Sequence, residues 1–327
     1  MPDIRSNWTR EEIAEIYNSP LLELVHRAGR MHEKYHEIGE VQVCTLLSVK
    51  TGGCSEDCAY CPQAARYDTD VEAHKLMSFE EVMHSAVEAK ANGSTRFCMG
   101  AAWREVRDNS DFDRVLEMVN GVNGLGLEVC CTLGMLTEEQ AVKLKRAGLY
   151  AYNHNIDTSE EYYDDIIGTR EFDDRLETIE HVNKADLSVC CGGIIGMGET
   201  DEDRINMLFT LASMSKHPES VPVNALVPVA GTPLAEQPRV TVWEMVRMIS
   251  TARITMPMAM VRLSAGRAEM SEVEQGFCFM AGANSIFAGE KLLTTPNPGV
   301  DADTKLFNIL GLKPRKSYKH EGEAVLS

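Results

Sequence analysis

From about Val41 onward the chain alternates short apolar runs with longer amphipathic ones. The runs Val41–Val49, Thr95–Gly100, Leu127–Leu133, Ala151–Asp157, Ser188–Ile195, Val221–Val227, Met260–Ala265 and Ser285–Ala288 are rich in Val, Ile and Cys and predict strands. Between them, Ser78–Ala91, Thr137–Arg146, Glu171–Val182, Asp201–Ser215 and Val242–Thr255 are patterned as helices. Ser78 with Glu81 and Thr137 with Gln140 are spaced as capping boxes at two of their starts. Strand-and-helix units repeated over about 250 residues predict a single (β/α)8 TIM-type barrel, although an open doubly wound sheet shares the pattern.

Two helices precede that rhythm. Thr9 with Glu12 reads as a capping box before Ile13–Tyr17, and Ser19 reads as the N-cap of a helix with Pro20 first, running to about His36. No linker rich in Pro, Gly or Ser divides the chain. The organisation expected is an N-terminal helical extension over residues 1–40, a barrel over 41–312, and a polar, loose tail over 313–327.

Composition narrows the function. No apolar run approaches the span of a bilayer, and Met1–Glu12 mixes acids with bases without an apolar core, unlike a secretory signal. A cytoplasmic location without a membrane partner is therefore expected. Fifty acidic against 32 basic side chains leave a net charge of −18, which argues against a nucleic-acid partner. Ten cysteines in a compartment where disulfides rarely persist point to metal or redox chemistry, unless they serve as small buried hydrophobes. Their positions decide.

Gly52-Gly53-Cys54-Ser55-Glu56-Asp57-Cys58-Ala59-Tyr60-Cys61-Pro62 directly follows the first strand. Three thiolates in Cys-x3-Cys-x2-Cys spacing can wrap one face of an iron–sulfur cube and leave one iron without a protein ligand. A closed zinc site would want a fourth ligand, with His74 or Cys44 as candidates, and an electron carrier would complete its set with a nearby cysteine. This loop, with Tyr60 just before the last cysteine, resembles that of the radical S-adenosylmethionine superfamily. The resemblance implies a 4Fe-4S cluster that binds S-adenosylmethionine at its open iron and cleaves it to methionine and a 5′-deoxyadenosyl radical.

A second set of chemistry-bearing residues lies on the predicted strands. Cys98, the pairs Cys130–Cys131 and Cys190–Cys191, the series Asn153, Asn155, Asp157, and Arg262 all fall there. Side chains alternate faces along a strand, so one cysteine of each adjacent pair faces the lumen, and the pattern alone does not say which. Buried packing could account for any single cysteine. Arg262 would be expected to pair with a carboxylate such as Asp157.

The segments Met99–Arg104, Tyr152–Thr158, Gly192–Thr200, Val223–Pro228 and Arg262–Arg267 further resemble a sulfur-inserting branch of the superfamily, and the likeness runs from about Val41 to Ala288. That resemblance implies an auxiliary 2Fe-2S cluster held by Cys98, Cys130, Cys190 and Arg262, with Cys131 and Cys191 turned outward as packing. It implies that Asn155 and Asp157 hold the ribose of S-adenosylmethionine, Arg175 its carboxylate, and Tyr60 and Ile194 its adenine. The alternative for Arg175, among Asp173, Asp174 and Glu177, is an exposed helix charge. Asn153 and Asn224 would face the ureido ring of the substrate. The activity implied is hydrogen abstraction from an unactivated methyl group, capture of carbon by cluster sulfide, and a second round closing a thiophane ring. A flavodoxin- or ferredoxin-type donor, iron–sulfur assembly proteins and a homodimer are implied with it. The rival readings are another radical barrel, such as an aminomutase or a methylornithine synthase, and a cluster carrier without turnover. The carrier would leave Asn153, Asn155, Asp157 and Arg175 unexplained.

Overall fold

A computed structural model describes residues 4–318. Two helices open the chain, α1 (Arg10–Tyr17) and α2 (Leu21–Tyr35). Thr9 and Glu12 close a reciprocal capping box on α1. The start of α2 differs from expectation: Pro20 occupies the N-cap position, because Ser19 Oγ donates back to the Glu15 carbonyl at 2.8 Å instead. The pair is seated by Ile16, Leu24 and Ala28 against Ile254, and Trp8 donates to the Thr255 carbonyl at 3.2 Å.

The elements then follow as β1 (Glu40–Lys50), α3 (Phe79–Ala91), β2 (Arg96–Ala101), α4 (Ser110–Gly124), β3 (Glu128–Thr132), α5 (Glu138–Arg146), β4 (Ala151–Asn153), α6 (Glu160–Ile166), α7 (Phe172–Lys184), β5 (Ser188–Cys190) and β6 (Gly193–Ile195). The rest are α8 (Asp201–Ser213), β7 (Ser220–Ala225), α9 (Val242–Thr255), β8 (Met260–Leu263), α10 (Glu272–Met280), β9 (Ser285–Ala288), α11 (Val300–Leu310) and β10 (Lys313–Pro314). Every strand pairing among them is parallel, and β9 pairs back onto β1. The sheet is thus a closed eight-stave barrel with helices outside, the (β/α)8 architecture that the alternation predicts; the open sheet is excluded.

Two predicted strands are interrupted, for one shared reason. The run Ser188–Ile195 splits into β5 and β6, two halves of a single stave, at Cys191-Gly192. A Cβ on Gly192 would lie 2.0 Å from the Pro222 carbonyl oxygen, and one on Gly193 would lie 2.6 Å from that of Asp157. Two glycines therefore let neighbouring backbones close in where a pleated strand could not pass. Ala151–Asp157 likewise stops pairing regularly at Asn153, and Asp157 takes a left-handed φ of 69°. These breaks border the cavity that Asn153, Asp157 and Ile194 line.

The apolar core has two shells. The larger lies between sheet and helices and contains Cys131 and Cys191. The smaller fills the lumen and contains Cys44, Cys98, Cys130 and Phe287. At the floor, buried Arg96 holds Glu128 at 2.9 Å and Glu219 at 3.0 Å. The tail, expected to be loose, docks there through residue 318. β10 pairs with β1, Tyr318 N donates to Glu128 at 2.6 Å, and Tyr318 stacks on Tyr150. The remainder of the expected tail, 319–327, lies outside the described residues. No helix among the described residues is long and apolar enough to cross a membrane.

Candidate active site in the barrel lumen

The loop after β1 is folded tightly around its three cysteines. Gly52, at a φ of +70°, passes so close to Ala73 that a Cβ would sit 2.9 Å from its Cα. Gln63 pins both ends of the turn: its carbonyl accepts from Cys54 N at 3.0 Å and its Oε1 from Gly52 N at 3.1 Å. Asp57 anchors the loop to the segment after α6, accepting from Gly168 N at 2.9 Å and Thr169 N at 3.0 Å. Glu56 is buried beside it, 3.4 Å from Arg170 and 3.6 Å from Arg104. Burial pushes the Cys58 thiol up to about 12 and that of Cys61 to about 11. A cationic cluster would reverse that preference, since thiolate ligation is stabilised by the metal charge.

Deeper in the lumen the sequence-predicted second set comes together. Cys98 and Cys130 are partners in the β2–β3 register, and Asn153 and Cys190 in the β4–β5 register. Arg262 reaches across from β8, with Nη1 3.6 Å from Cys190 Sγ. Its expected carboxylate partner is not Asp157. Nε donates to Ser285 Oγ at 2.9 Å and Nη2 to Gln42 Oε1 at 3.2 Å, and the guanidinium lies over Phe287. Cys131 and Cys191 point into the helix-facing shell, as alternation requires if Cys130 and Cys190 face inward.

The polar arc lies between the two thiol sets. Asp157 pairs with Arg175, whose Nε donates to Tyr163 Oη at 2.9 Å. Arg175 is only 5% exposed, so it is no solvated helix charge; on α7 it shares the inward face with Phe172, Ile179 and Val182. Asn155 Oδ1 accepts from Gly192 N at 3.2 Å. Asn153 Nδ2 donates to Cys190 Sγ at 3.1 Å, and Thr132 Oγ1 donates to Asn153 Oδ1 at 3.2 Å. Asn224 is oriented by Gly193 O at 2.9 Å and Ala265 N at 3.2 Å.

One cavity of about 330 Å³ joins these parts. Cys54, Cys58, Cys61, Tyr60, Asp157, Arg175 and Ile194 line its upper part, and Asn153, Asn224, Cys98, Cys130 and Arg262 its depth. That volume suits a small molecule. Among the described residues no three His, Cys, Asp or Glu side chains are drawn together tightly enough for a single metal ion; the thiols face a shared space instead. Sequence reasoning missed several residues here. His154 and Arg170 line the cavity with buried nitrogens that lack hydrogen-bond partners, and burial, then Arg175 and Arg170, hold His154 well below the usual imidazole range. Gln42 and Ser285, likewise unforeseen, surround Arg262 together with Cys44, which the sequence offered as a fourth ligand of a closed zinc site and which lies instead in the lumen. Period-two spacing on β1 (Gln42, Cys44, Leu46) was the available signal for Gln42.

The chain is similar to known proteins along nearly its whole length. Residues 48–211 match the model of the Radical SAM superfamily, and residues 222–313 that of the Biotin and Thiamin Synthesis associated domain. The chain is 69% identical over 320 residues to the biotin synthase of Cytophaga hutchinsonii, covering 98% of this chain and 95% of that one. It is 59% identical over 312 residues to the mitochondrial biotin synthase of Arabidopsis thaliana, covering 95% and 82%. Among solved structures, methylornithine synthase superposes with a TM-score of 0.80 over 97% of this chain and 96% of that one, at 19% identity; that likeness concerns the fold.

Proposed function

The chain belongs to the biotin synthase family of the radical S-adenosylmethionine superfamily, and from that premise we propose how its lumen converts dethiobiotin to biotin. The observation that carries the reading is a single cavity bordered at one level by Cys54, Cys58 and Cys61 and at another by Cys98, Cys130 and Arg262. When bound, a 4Fe-4S cluster with S-adenosylmethionine supplies a 5′-deoxyadenosyl radical, and an auxiliary 2Fe-2S cluster supplies sulfide. Cys54, Cys58 and Cys61 would hold the first, and Cys98, Cys130, Cys190 and Arg262 the second.

The other residues orient and shield. Arg175 commits Nη2 to Asp157 and Nε to Tyr163, which leaves Nη1 for the S-adenosylmethionine carboxylate. Asp157 Oδ1, with Asn155, suits the vicinal hydroxyls of its ribose, while Tyr60 and Ile194 offer flat and aliphatic surfaces to adenine. Asn153 and Asn224 present amides whose orientation is already fixed by protein partners, as a ureido ring with paired donors and an acceptor requires. Leu46, Phe287 and Leu292 give the same cavity an apolar wall, which would cover the remaining chain of the substrate and keep water and stray hydrogen donors from a carbon radical. In this reading the barrel comprises residues 41–312, a flavodoxin- or ferredoxin-type protein delivers the electron, and iron–sulfur assembly proteins restore the sulfide. A homodimer is part of this reading; Trp243 and Phe277, both exposed and in ring contact at 5.6 Å, offer an apolar surface for it.

Anaerobic incubation with dethiobiotin, S-adenosylmethionine and a reductant should yield biotin together with 5′-deoxyadenosine and methionine. Release of 5′-deoxyadenosine without biotin or its thiol precursor would instead mark a radical barrel acting on another substrate.

A further inference from the structure

We propose that Cys44 is a fourth thiol of the auxiliary-cluster site, placed to ligate iron where Arg262 does. The inference rests on the reading that Cys98, Cys130, Cys190 and Arg262 hold that cluster. Cys44 is 0% exposed and faces the lumen, while Val41 and Val43 on the same strand point the other way. Its Sγ lies 3.3 Å from Arg262 Nη2, nearer than Cys190 Sγ lies to Nη1. Its thiol adjoins that of Cys98, which adjoins that of Cys130. Four thiols therefore ring the lumen, and the guanidinium lies across the gap between the first and the last.

Ordinary packing does not account for this placement. Cys131, Cys191 and Cys278 sit in the helix-facing apolar shell, whereas Cys44 is set against a cation. A second observation points to a ligand here. Gln42, 1% exposed and one inward position before Cys44, uses Oε1 to accept from Arg262 and Ser285, yet its buried Nε2 has no hydrogen-bond partner. An unpaired buried amide donor is costly unless an acceptor arrives, and cluster sulfide or thiolate is such an acceptor.

Thiolate is the ordinary ligand of iron–sulfur clusters, whereas a guanidinium must first lose a proton to bind metal. The exchange balances without an outside reagent. Were Cys44 to take the place of Arg262 on iron, one iron–nitrogen bond would be exchanged for one iron–sulfur bond, and the Cys44 proton would pass to the guanidine, which would regain its charge. No electron moves. Such an exchange keeps four protein ligands on the cluster whenever the Arg262 bond opens, including while the cluster is being rebuilt.

The test compares full-length wild-type protein, Arg262→Met, Cys44→Ser and the double variant, each reconstituted anaerobically with iron and sulfide. Iron content, Mössbauer spectra and resonance Raman iron–sulfur stretching bands are read, with circular dichroism confirming the fold. Arg262→Met is expected to keep the 2Fe-2S cluster with an all-sulfur ligand spectrum, and the double variant to lose that cluster or that spectrum. Equal auxiliary-cluster content and identical spectra in the two would overturn the proposal. If Arg262→Met does not fold, Cys44→Ser alone decides: auxiliary iron should pass to a chelator several-fold faster than in wild type, and an unchanged rate counts against Cys44. A wild-type protein that takes up only one cluster would be a different failure, that of the ligand assignment on which this inference rests.

Discussion

Cys130 and Cys131 are neighbours in sequence and lie on opposite sides of the sheet, one in the lumen and one beneath the helices. Alternation along a strand made this division legible, but the register had to come from the barrel itself. Cys131→Ala is expected to cost about 1 kcal/mol of stability, the order of one buried heavy atom, and to leave cluster content unchanged on iron analysis; Cys130→Ala should lose the auxiliary iron. Arg175 was harder to read, because Asp173, Asp174 and Glu177 beside it suggest a solvated face. Its inward position follows only from the spacing Phe172, Arg175, Ile179, Val182. Both partners of the Arg175–Asp157 pair are buried, so Arg175→Ala strands a carboxylate in the interior. A loss of about 3–5 kcal/mol is expected, seen as a lower denaturation midpoint, with weaker S-adenosylmethionine binding by calorimetry.

Strand existence was readable from periodicity; closure into a barrel, set by the pairing of β9 with β1, and the ends and breaks of strands were not. An unbroken apolar run such as Ser188–Ile195 carries no local mark of interruption; the break depends on how closely Pro222 and Asp157 approach from neighbouring staves. The glycines there are contact surfaces. Gly192→Ala puts a methyl group into the Pro222 carbonyl, an overpacking expected to cost about 1–3 kcal/mol. Because the same segment carries Ile194 and accepts the backbone of Asp157, the variant should also bind S-adenosylmethionine less tightly. Normal affinity with normal stability would show that the stave tolerates a Cβ there.

Over the whole molecule, the barrel is closed below and open above. The floor is the Arg96–Glu128–Glu219 cluster with Tyr150 and Tyr318, built from strands far apart in sequence and from a tail whose polar composition suggests no docking at all. That assembly could not be read from any one segment. Truncation after Leu312 should uncover Glu128 and remove the Tyr318 stack, lowering the melting temperature by a few degrees for a loss of about 1–2 kcal/mol. An unchanged melting temperature would mean the tail adds nothing to the floor.

The lumen is expected to hold two clusters through two separate thiol sets. Mössbauer spectroscopy of reconstituted Cys98→Ala against wild type tests this most directly. Wild type should show both a 4Fe-4S and a 2Fe-2S component, and the variant the 4Fe-4S component alone. Loss of the 4Fe-4S component with the 2Fe-2S one retained would contradict the assignment.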